Sequence, residues 1–337
     1  MHDVASLAGV SIKTVSNVVN DYQYLKPETR KRVQDAIDQL GYRPNLSARG
    51  LRSGRTGVIS LIIPDIRNAY FAELADEVIR AAEAESLTVI IEQSQGDRDR
   101  ELGLLTGPRT SMIDGILYSV LGLEEDDAHL LDNIETPMVL LGERIFHGPT
   151  DHVTMQNAES TKAATAHLLG LGRRRIVAFG AHHGEVIGSA GLRLDGYREA
   201  LAIGGIDYDE ELVVEVGDWF RKNGADAMHA LLASGVRFDG VVAFNDLIGL
   251  GAMRVMQEAG IRIPEDVAVV GFDDIDETRY TLPTLTTINP GKGEIARVAV
   301  AYLKERIALG ARAIPPREYL AQFSLVERES TAVTATV

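Results

Sequence analysis

Asp65, Asn245-Asp246 and Asp273-Asp274 each stand at the end of a short apolar run, and Arg193 lies in the segment GLRLDGY. Carboxylates, an amide and a guanidinium gathered at such ends supply the paired donors and acceptors that sort hydroxyls or amides on a polar small molecule. Trp219 adds a flat apolar face of the kind that stacks on a sugar ring or a base. The same residue types also serve local structure, and Asn245 or Asp246 reads by itself as the cap of a helix beginning near Leu247. A second group lies near the amino terminus, in VASLAGVSIKTVSNVVN at positions 4–20. There Ile12, Lys13, Thr14, Ser16 and Asn17 share the helical face opposite Val15, Val18 and Val19. These groups can bond base edges, touch a thymine methyl or reach phosphate, although a plain solvated face would use the same residue types.

Short helices must position the second group. Val4, Ala5 and Ala8 fall on one side of a first helix that Gly9 can end, and Ser11 can cap a second running from Ile12. Two helices joined by about three residues with a Gly in the turn form a helix-turn-helix. A third helix starts at Pro27, carries Val33, Ala36, Ile37 and Leu40 as an apolar stripe, and stops at Gly41. The charge agrees with this division. Residues 1–55 hold nine Lys/Arg against five Asp/Glu, or +4, in front of −19 on the remainder of a chain whose net charge is −15. A cationic head on an acidic body suits a module that grips a polyanion.

From Gly57 onward the pattern changes. Apolar runs at Val58–Ile63, Thr88–Ile91, Gly115–Tyr118 and Met138–Leu141 alternate with helical stretches, and the rhythm restarts at Ile176–Phe179, Leu212–Val216, Gly240–Phe244 and Val267–Phe272. Short buried strands alternating with helices imply parallel sheets covered on both faces. Eight such units with a break near residue 155 predict two similar lobes, with a small ligand held at the carboxyl ends of the strands.

The stretch from Asp3 to Asn20, D-V-A-x-x-A-G-V-S-x-x-T-V-S-x-V-x-N, resembles the DNA-binding headpiece of the LacI/GalR family of bacterial transcription regulators. The likeness continues through Glu28-Thr29-Arg30 and LGYRPN at 40–45, and returns in VVAFNDLIGLGAMRVMQEAGIRIPEDVAVVGFDDI followed by LPTLTTI. It implies a small all-α helix-turn-helix headpiece at 1–44, a hinge helix at 45–56, and a two-lobed α/β core of periplasmic-binding-protein type at 57–330. Its chain would cross between lobes near 155, 289 and 318, giving an N-lobe of about 57–155 and 290–318 and a C-lobe of about 156–289 and 319–330. The resemblance further implies that Ile12, Lys13 and Asn17 read bases, that Thr14, Ser16, Asn20 and Tyr24 hold backbone or neighbouring bases, and that Ser11 sits with them. In the hinge, Ala48 and Leu51 match an Asn-x-x-A-R-x-L pattern whose leucine wedges into the minor groove. Tyr70, Phe71, Arg193, Trp219, Asn245 and Asp273 match effector-site positions. The chain departs from the family at Gly142 and Gln156, both a frequent Asp, at Pro290, a frequent Gln, and at Lys26, where a capping Ser is common; few residues precede Asp3.

Other readings fare worse. No dinucleotide fingerprint, phosphate loop, nucleophile elbow or H-E-x-x-H motif occurs, so no catalytic residue and no cofactor is expected. His182-His183 with Glu185 reads as a loop at a pocket rim rather than a metal site, because adjacent histidines point apart. The chain has no cysteine, no run of eighteen apolar residues and no apolar segment like a secretory signal, so the expected location is the cytoplasm and an exported sugar-binding protein is disfavoured. The expectation is therefore a homodimeric repressor on a palindromic duplex, released by a small polar effector, with a sugar as first choice and a purine-type corepressor as the alternative. STAVTATV at the end of the sequence carries no leucine heptads, so no coiled coil beyond the dimer is expected. Leu51→Ala should bind its specific duplex more weakly and bend it less, as read from the mobility of circularly permuted fragments. Unaltered affinity and bend would rule out the wedge.

Overall fold

The computed structural model describes residues 1–19, 22, 24–42 and 55–332, so that Asn20, Ala48 and Leu51 lie outside the described residues. The chain divides into two units at Thr56.

In the first unit, α1 (His2–Ala8) ends at Gly9, whose φ of 62° is the left-handed geometry that a residue without a β-carbon adopts freely. Helix α2 (Ile12–Val19) begins where Ser11 Oγ accepts from Thr14 N at 3.1 Å. Helix α3 (Pro27–Leu40) has proline in its first turn. Neither Met1 nor Lys26, the residues before α1 and α3, supplies a side-chain cap. Val4, Ala5, Ala8, Val15, Val18, Val33 and Ala36 form the core. Leu40 departs from the expected stripe and is 46% exposed. Gly41, at φ 58°, turns the chain so that Tyr42 packs on this core in its place.

The second unit holds two six-stranded sheets. The strands of the first are β1 (Val58–Ile63), β2 (Thr88–Gln93), β3 (Gly115–Ser119), β4 (Met138–Leu141), β5 (Asp151–Thr154) and β11 (Glu318–Leu320), in the order β11-β5-β4-β3-β1-β2. Those of the second are β6 (Ile176–Ala181), β7 (Val213–Glu215), β8 (Gly240–Ala243), β9 (Ala268–Phe272), β10 (Thr286–Asn289) and β12 (Ser324–Val326), in the order β12-β10-β9-β8-β6-β7. All neighbours run parallel except β10 and β12, which pair antiparallel. Strands β3, β4, β6, β8 and β9 are buried throughout, which is why they read as unbroken apolar runs. We call the two lobes after their sheets, the N-lobe and the C-lobe.

Four strands escaped the apolar pattern. β5, β10, β11 and β12 are three or four residues long with sequences DHVT, TTIN, EYL and SLV, and polar side chains in β5 and β10 find partners far away in sequence. Thr286 Oγ1, for instance, bonds the carbonyl of Arg328 at 3.0 Å. Tyr319 and Leu320 pair with Val153 and Thr154, so the third crossing falls at 321–323, after Leu320 and not at 318.

The helices flank the sheets. In the N-lobe these are α4 (Ala69–Ala84), α5 (Arg98–Thr106), α6 (Ala128–Leu131) and α11 (Lys292–Leu309); in the C-lobe they are α7 (Asn157–Gly170), α8 (Ser189–Ile203), α9 (Arg221–Ser234) and α10 (Asp246–Glu258). Gly196 in α8 lies so close to α7 that a β-carbon there would stand 2.1 Å from the Ala158 carbonyl oxygen. This backbone contact sets the spacing of the two helices and places Arg193, one turn earlier on α8, against the start of α7.

A buried ion pair ties the N-lobe together. Asp151 of β5 takes Arg306 Nε of α11 at 2.7 Å and Nη2 at 2.8 Å, and Arg317 Nη2 at 2.9 Å; Asp151 and Arg306 are both 0% exposed. Burial alone would raise the Asp151 pKa, but the hydrogen bonds from Arg306 and Arg317 outweigh it and hold the carboxyl below its ordinary value. Because the folded-state pKa is depressed, this stabilisation is complete above about pH 4 and is lost as pH falls through the lower folded value. Asp151→Ala leaves the fully buried Arg306 guanidinium without a carboxylate, Arg317 keeping Glu305 at 2.6 Å, and should cost about 3–5 kcal/mol in urea unfolding at neutral pH, with the gap from the parent closing in acid.

Candidate functional site

Between the lobes of the second unit, at the carboxyl ends of the strands, lies a cleft of about 600 Å³. Asp65, Tyr70, Phe71, Arg193, Trp219, Asn245 and Asp273 all line it.

The N-lobe side begins with the turn after β1. Asp65 accepts from Arg67 N at 2.9 Å and pairs with Arg67 Nη2 at 2.6 Å. The hydrogen bond from Arg67 holds the Asp65 carboxyl below the usual carboxylate range, and the guanidinium of Arg67 lies 5.4 Å from the ring centroid of Phe220 on the C-lobe. Asn68 caps α4 through Oδ1 and the Tyr70 N–H at 3.1 Å. The first turn of α4 therefore carries Tyr70 and Phe71 to the cleft, their rings edge to face at 5.2 Å. Burial raises the Tyr70 pKa well above its usual value, so the phenol stays a neutral donor and acceptor.

The C-lobe side centres on Arg193, which is 2% exposed. Its Nε donates to Asn157 Oδ1 at 2.7 Å, its Nη1 to the Phe244 carbonyl, and its Nη2 approaches Met155 Sδ at 3.4 Å. The guanidinium carbon lies 3.5 Å from the Phe272 ring centroid and 5.2 Å from that of Trp219. Burial lowers the Arg193 pKa, with Asp273 and Glu143 pulling the other way; guanidinium stays charged regardless. Trp219 is oriented by its own Nε1–H, which donates to the Gly180 carbonyl at 3.1 Å, and by an edge contact with Phe244 at 6.4 Å. Asn245 is a helix cap as well as a cleft residue. Its Oδ1 accepts from Ile248 N at 2.9 Å and its Nδ2 donates to the Trp219 carbonyl at 3.3 Å.

Asp273 follows β9 with φ 115° and precedes Asp274 at φ 49°, both in the region that residues with a β-carbon avoid. Burial pushes its carboxyl up to about 7 against the pull of Arg193 and Lys292. Among the described residues none donates a hydrogen bond to this carboxyl group, which leaves it open to a ligand in the cleft.

Residues not singled out for the cleft complete it. Glu143 takes Ser189 Oγ at 2.7 Å and Thr154 Oγ1 at 3.2 Å. Arg144 pairs with Glu185 at 3.2 Å and donates to the Ile187 carbonyl at 3.1 Å. Both residues follow β4, and both reach across to the C-lobe. Gly142, at φ 92°, offers no side chain where the family resemblance expects Asp, and Glu143 supplies a carboxylate one residue later. The strand-end criterion that picked out Asp65 would also have found it in VLLGER. Gln156, another departure, faces the third crossing, where Nε2 bonds the Ala321 carbonyl at 2.9 Å.

His182 and Glu185 sit at the cleft, Nδ1 to Oε2 2.9 Å, while His183 is 95% exposed beside Glu215. The hydrogen bond to Glu185 raises the His182 pKa. The two histidines diverge, and among the described residues no three His, Asp or Glu side chains gather as a metal would require.

In the first unit, Ser11, Ile12 and Lys13 are exposed and Thr14, Ser16 and Asn17 half-buried; Tyr24 is 84% exposed. The Thr14 hydroxyl is 2.9 Å from that of Ser11, so the two polar groups are linked at the start of α2.

Residues 1–45 match the bacterial regulatory proteins of the lacI family, and residues 165–331 match the periplasmic binding protein-like domain. A solved LacI-family transcriptional regulator from Sanguibacter keddieii DSM 10542 is 51% identical, covers 83% of this chain and 100% of its own, and superposes with a TM-score of 0.77. This chain belongs to the LacI family. Two further structures extend the likeness over the LacI-family headpiece as well. The transcriptional regulator CelR in complex with cellobiose is 32% identical over 97% of this chain and 98% of that one, at a TM-score of 0.71. The Lac repressor dimer bound to operator and the anti-inducer ONPF is 25% identical over 98% of each chain, at a TM-score of 0.84. No helix among the described residues is long and apolar enough to cross a membrane.

The raised pKa of Asp273 gives a signed prediction. A carboxyl whose folded-state pKa lies above its unfolded value binds its proton more tightly when folded, so its contribution to stability is full below about pH 4 and is lost as pH rises toward 7. Asp273→Asn, which cannot ionise, should gain on the parent by on the order of 2 kcal/mol in urea unfolding between pH 5 and pH 8. An equal difference at both pH values would place the carboxyl at an ordinary pKa.

Proposed function

We propose that this chain is a homodimeric transcription repressor whose grip on a palindromic operator is set by a neutral polar ligand, a sugar, bound in the cleft between Tyr70, Arg193, Trp219 and Asp273. The observation that carries the reading is the convergence of donors, acceptors and an aromatic face on one cleft, in a chain whose first residues fold as a helix-turn-helix within a segment, 1–55, of net charge +4. Arg67 and Arg144 already face Asp65 and Glu185, and the Asp273 carboxyl, pushed up to about 7 by burial, can meet a ligand hydroxyl in either protonation state. Trp219 supplies the face on which a sugar ring stacks, and the CelR–cellobiose structure supports a carbohydrate. Ile12, Lys13 and Asn17 then face base edges, with one α2 in each of two successive major grooves. Ligand and operator influence one another through the lobes, each altering the other's affinity by the same factor.

An operator selected in vitro against the full chain, with anisotropy as readout, tests this directly. Sugars including cellobiose, and nucleobases as the rival class, are then titrated in. A sugar is expected to weaken operator binding; a nucleobase that tightens it would move the chain to the corepressor class. Arg193→Ala and Asp273→Ala should each reduce the ligand response at least about tenfold, within the usual range of coupling energies, and leave ligand-free operator affinity in place. Specific binding should fall steeply with salt as phosphate contacts release counterions, and a flat dependence would speak against the headpiece as the DNA reader.

A further inference from the structure

Lys292, the first residue of α11, is an ammonium buried to 8% exposure, a setting lysine occupies only with partners. Its Nζ donates to the carbonyl oxygens of Asp273 and Asp274, the latter at 3.0 Å, and pairs with Glu73 Oε2 at 3.0 Å. These partners come from different bodies. Glu73 lies on α4, which packs with α11 in the N-lobe, whereas Asp273 and Asp274 follow β9 of the C-lobe. Glu73 grips the same turn a second time, its Oε1 accepting from Asp276 N at 2.8 Å. On its other side the turn is fixed to the C-lobe. Asp274 pairs with Arg328 at 2.5 Å and accepts from Asn289 Nδ2 at 3.0 Å, and Asp246 Oδ2 takes Ile275 N at 3.0 Å.

We propose that Lys292, paired with Glu73, is a positioning residue that ties the Asp273–Asp274 turn to the angle between the lobes. A cation holding two carbonyls of one lobe and a carboxylate of the other keeps all three bonds over a narrow range of lobe angles, because hydrogen bonds weaken within a few tenths of an ångström. The turn it holds carries, on its other face, the Asp273 carboxyl that lines the cleft. Its two residues have positive φ, a backbone state that persists only where surrounding contacts enforce it. A ligand bonded to Asp273 therefore acts on a turn whose carbonyls are anchored across the lobe boundary. The importance of that link rests on the cleft being the ligand site; the link itself can be tested without a ligand.

The chain has no cysteine, so Met112→Cys and Ile203→Cys, at exposed positions on the N-lobe and C-lobe, take a pair of spin labels in the full-length protein. Pulsed dipolar distance measurements should give one narrow distribution for the parent and for Lys292→Arg. Lys292→Met and Glu73→Gln should shift and broaden it. If Lys292→Met does not fold by circular dichroism, Glu73→Gln, at a partly exposed residue, carries the test. A folded Lys292→Met or Glu73→Gln with the parent distribution overturns the proposal. So does Lys292→Arg behaving as Lys292→Met does, or a parent distribution that is already broad. If the distances behave as expected but no sugar alters operator affinity in the parent, the cleft reading fails and the Lys292 link stands.

Discussion

A guanidinium stripped of water needs partners on every side, and Arg193 draws them from five places in the C-lobe and its border. Asn157 at the start of α7 and the Phe244 carbonyl after β8 accept its protons. Met155 in the first crossing touches it, and the rings of Phe272 and Trp219 lie against its planes. Among the described residues no carboxylate comes within ion-pair distance, so hydrogen bonds and ring faces compensate the desolvation. Moving any of these elements would leave a buried charge unpaired, which makes Arg193 the point from which the rest of the cleft takes its position.

The features legible in the sequence are those where burial is simple. Central strands such as β4, β8 and β9 are sealed on both faces and apolar from end to end, and the glycines at 9 and 41 stop helices because each takes a positive φ. Features set by tertiary pairing were not legible. Strands as short as DHVT or TTIN satisfy their polar side chains through neighbours distant in sequence, and no local pattern marks that. Leu40 obeyed the helical period but was displaced by Tyr42, because a turn beyond the helix decides which side chain closes the small core. Strand ends pointed to Asp65, Asn245 and Asp273, residue chemistry to Arg193 and Trp219, and the family resemblance to Tyr70 and Phe71, and the structure puts all seven on one cleft. Strand-end reasoning missed Glu143 and Arg144, which meet the same criterion, and had no means to find Lys292, whose partners are mainly backbone carbonyls.

The two units divide the electrostatic work. The acidic residues concentrate in the larger unit, where many are held by arginines on the surface or in the interior, and the basic excess lies within residues 1–55, four of its arginines (Arg43, Arg49, Arg52 and Arg55) following the three small helices in sequence. A polyanion therefore meets favourable potential at one end of the chain and unfavourable potential along the rest, which favours productive encounters over indiscriminate ones.

The contact at Gly196 has a mechanical consequence. With backbone against backbone and no side chain between, α7 and α8 have no soft layer in which to slip. Arg193 on one and Asn157 on the other therefore travel as a single solid piece. Any displacement of the guanidinium is therefore shared by Asn157, which it bonds at 2.7 Å, and by the first turn of α7, which Gly196 meets backbone to backbone beside it.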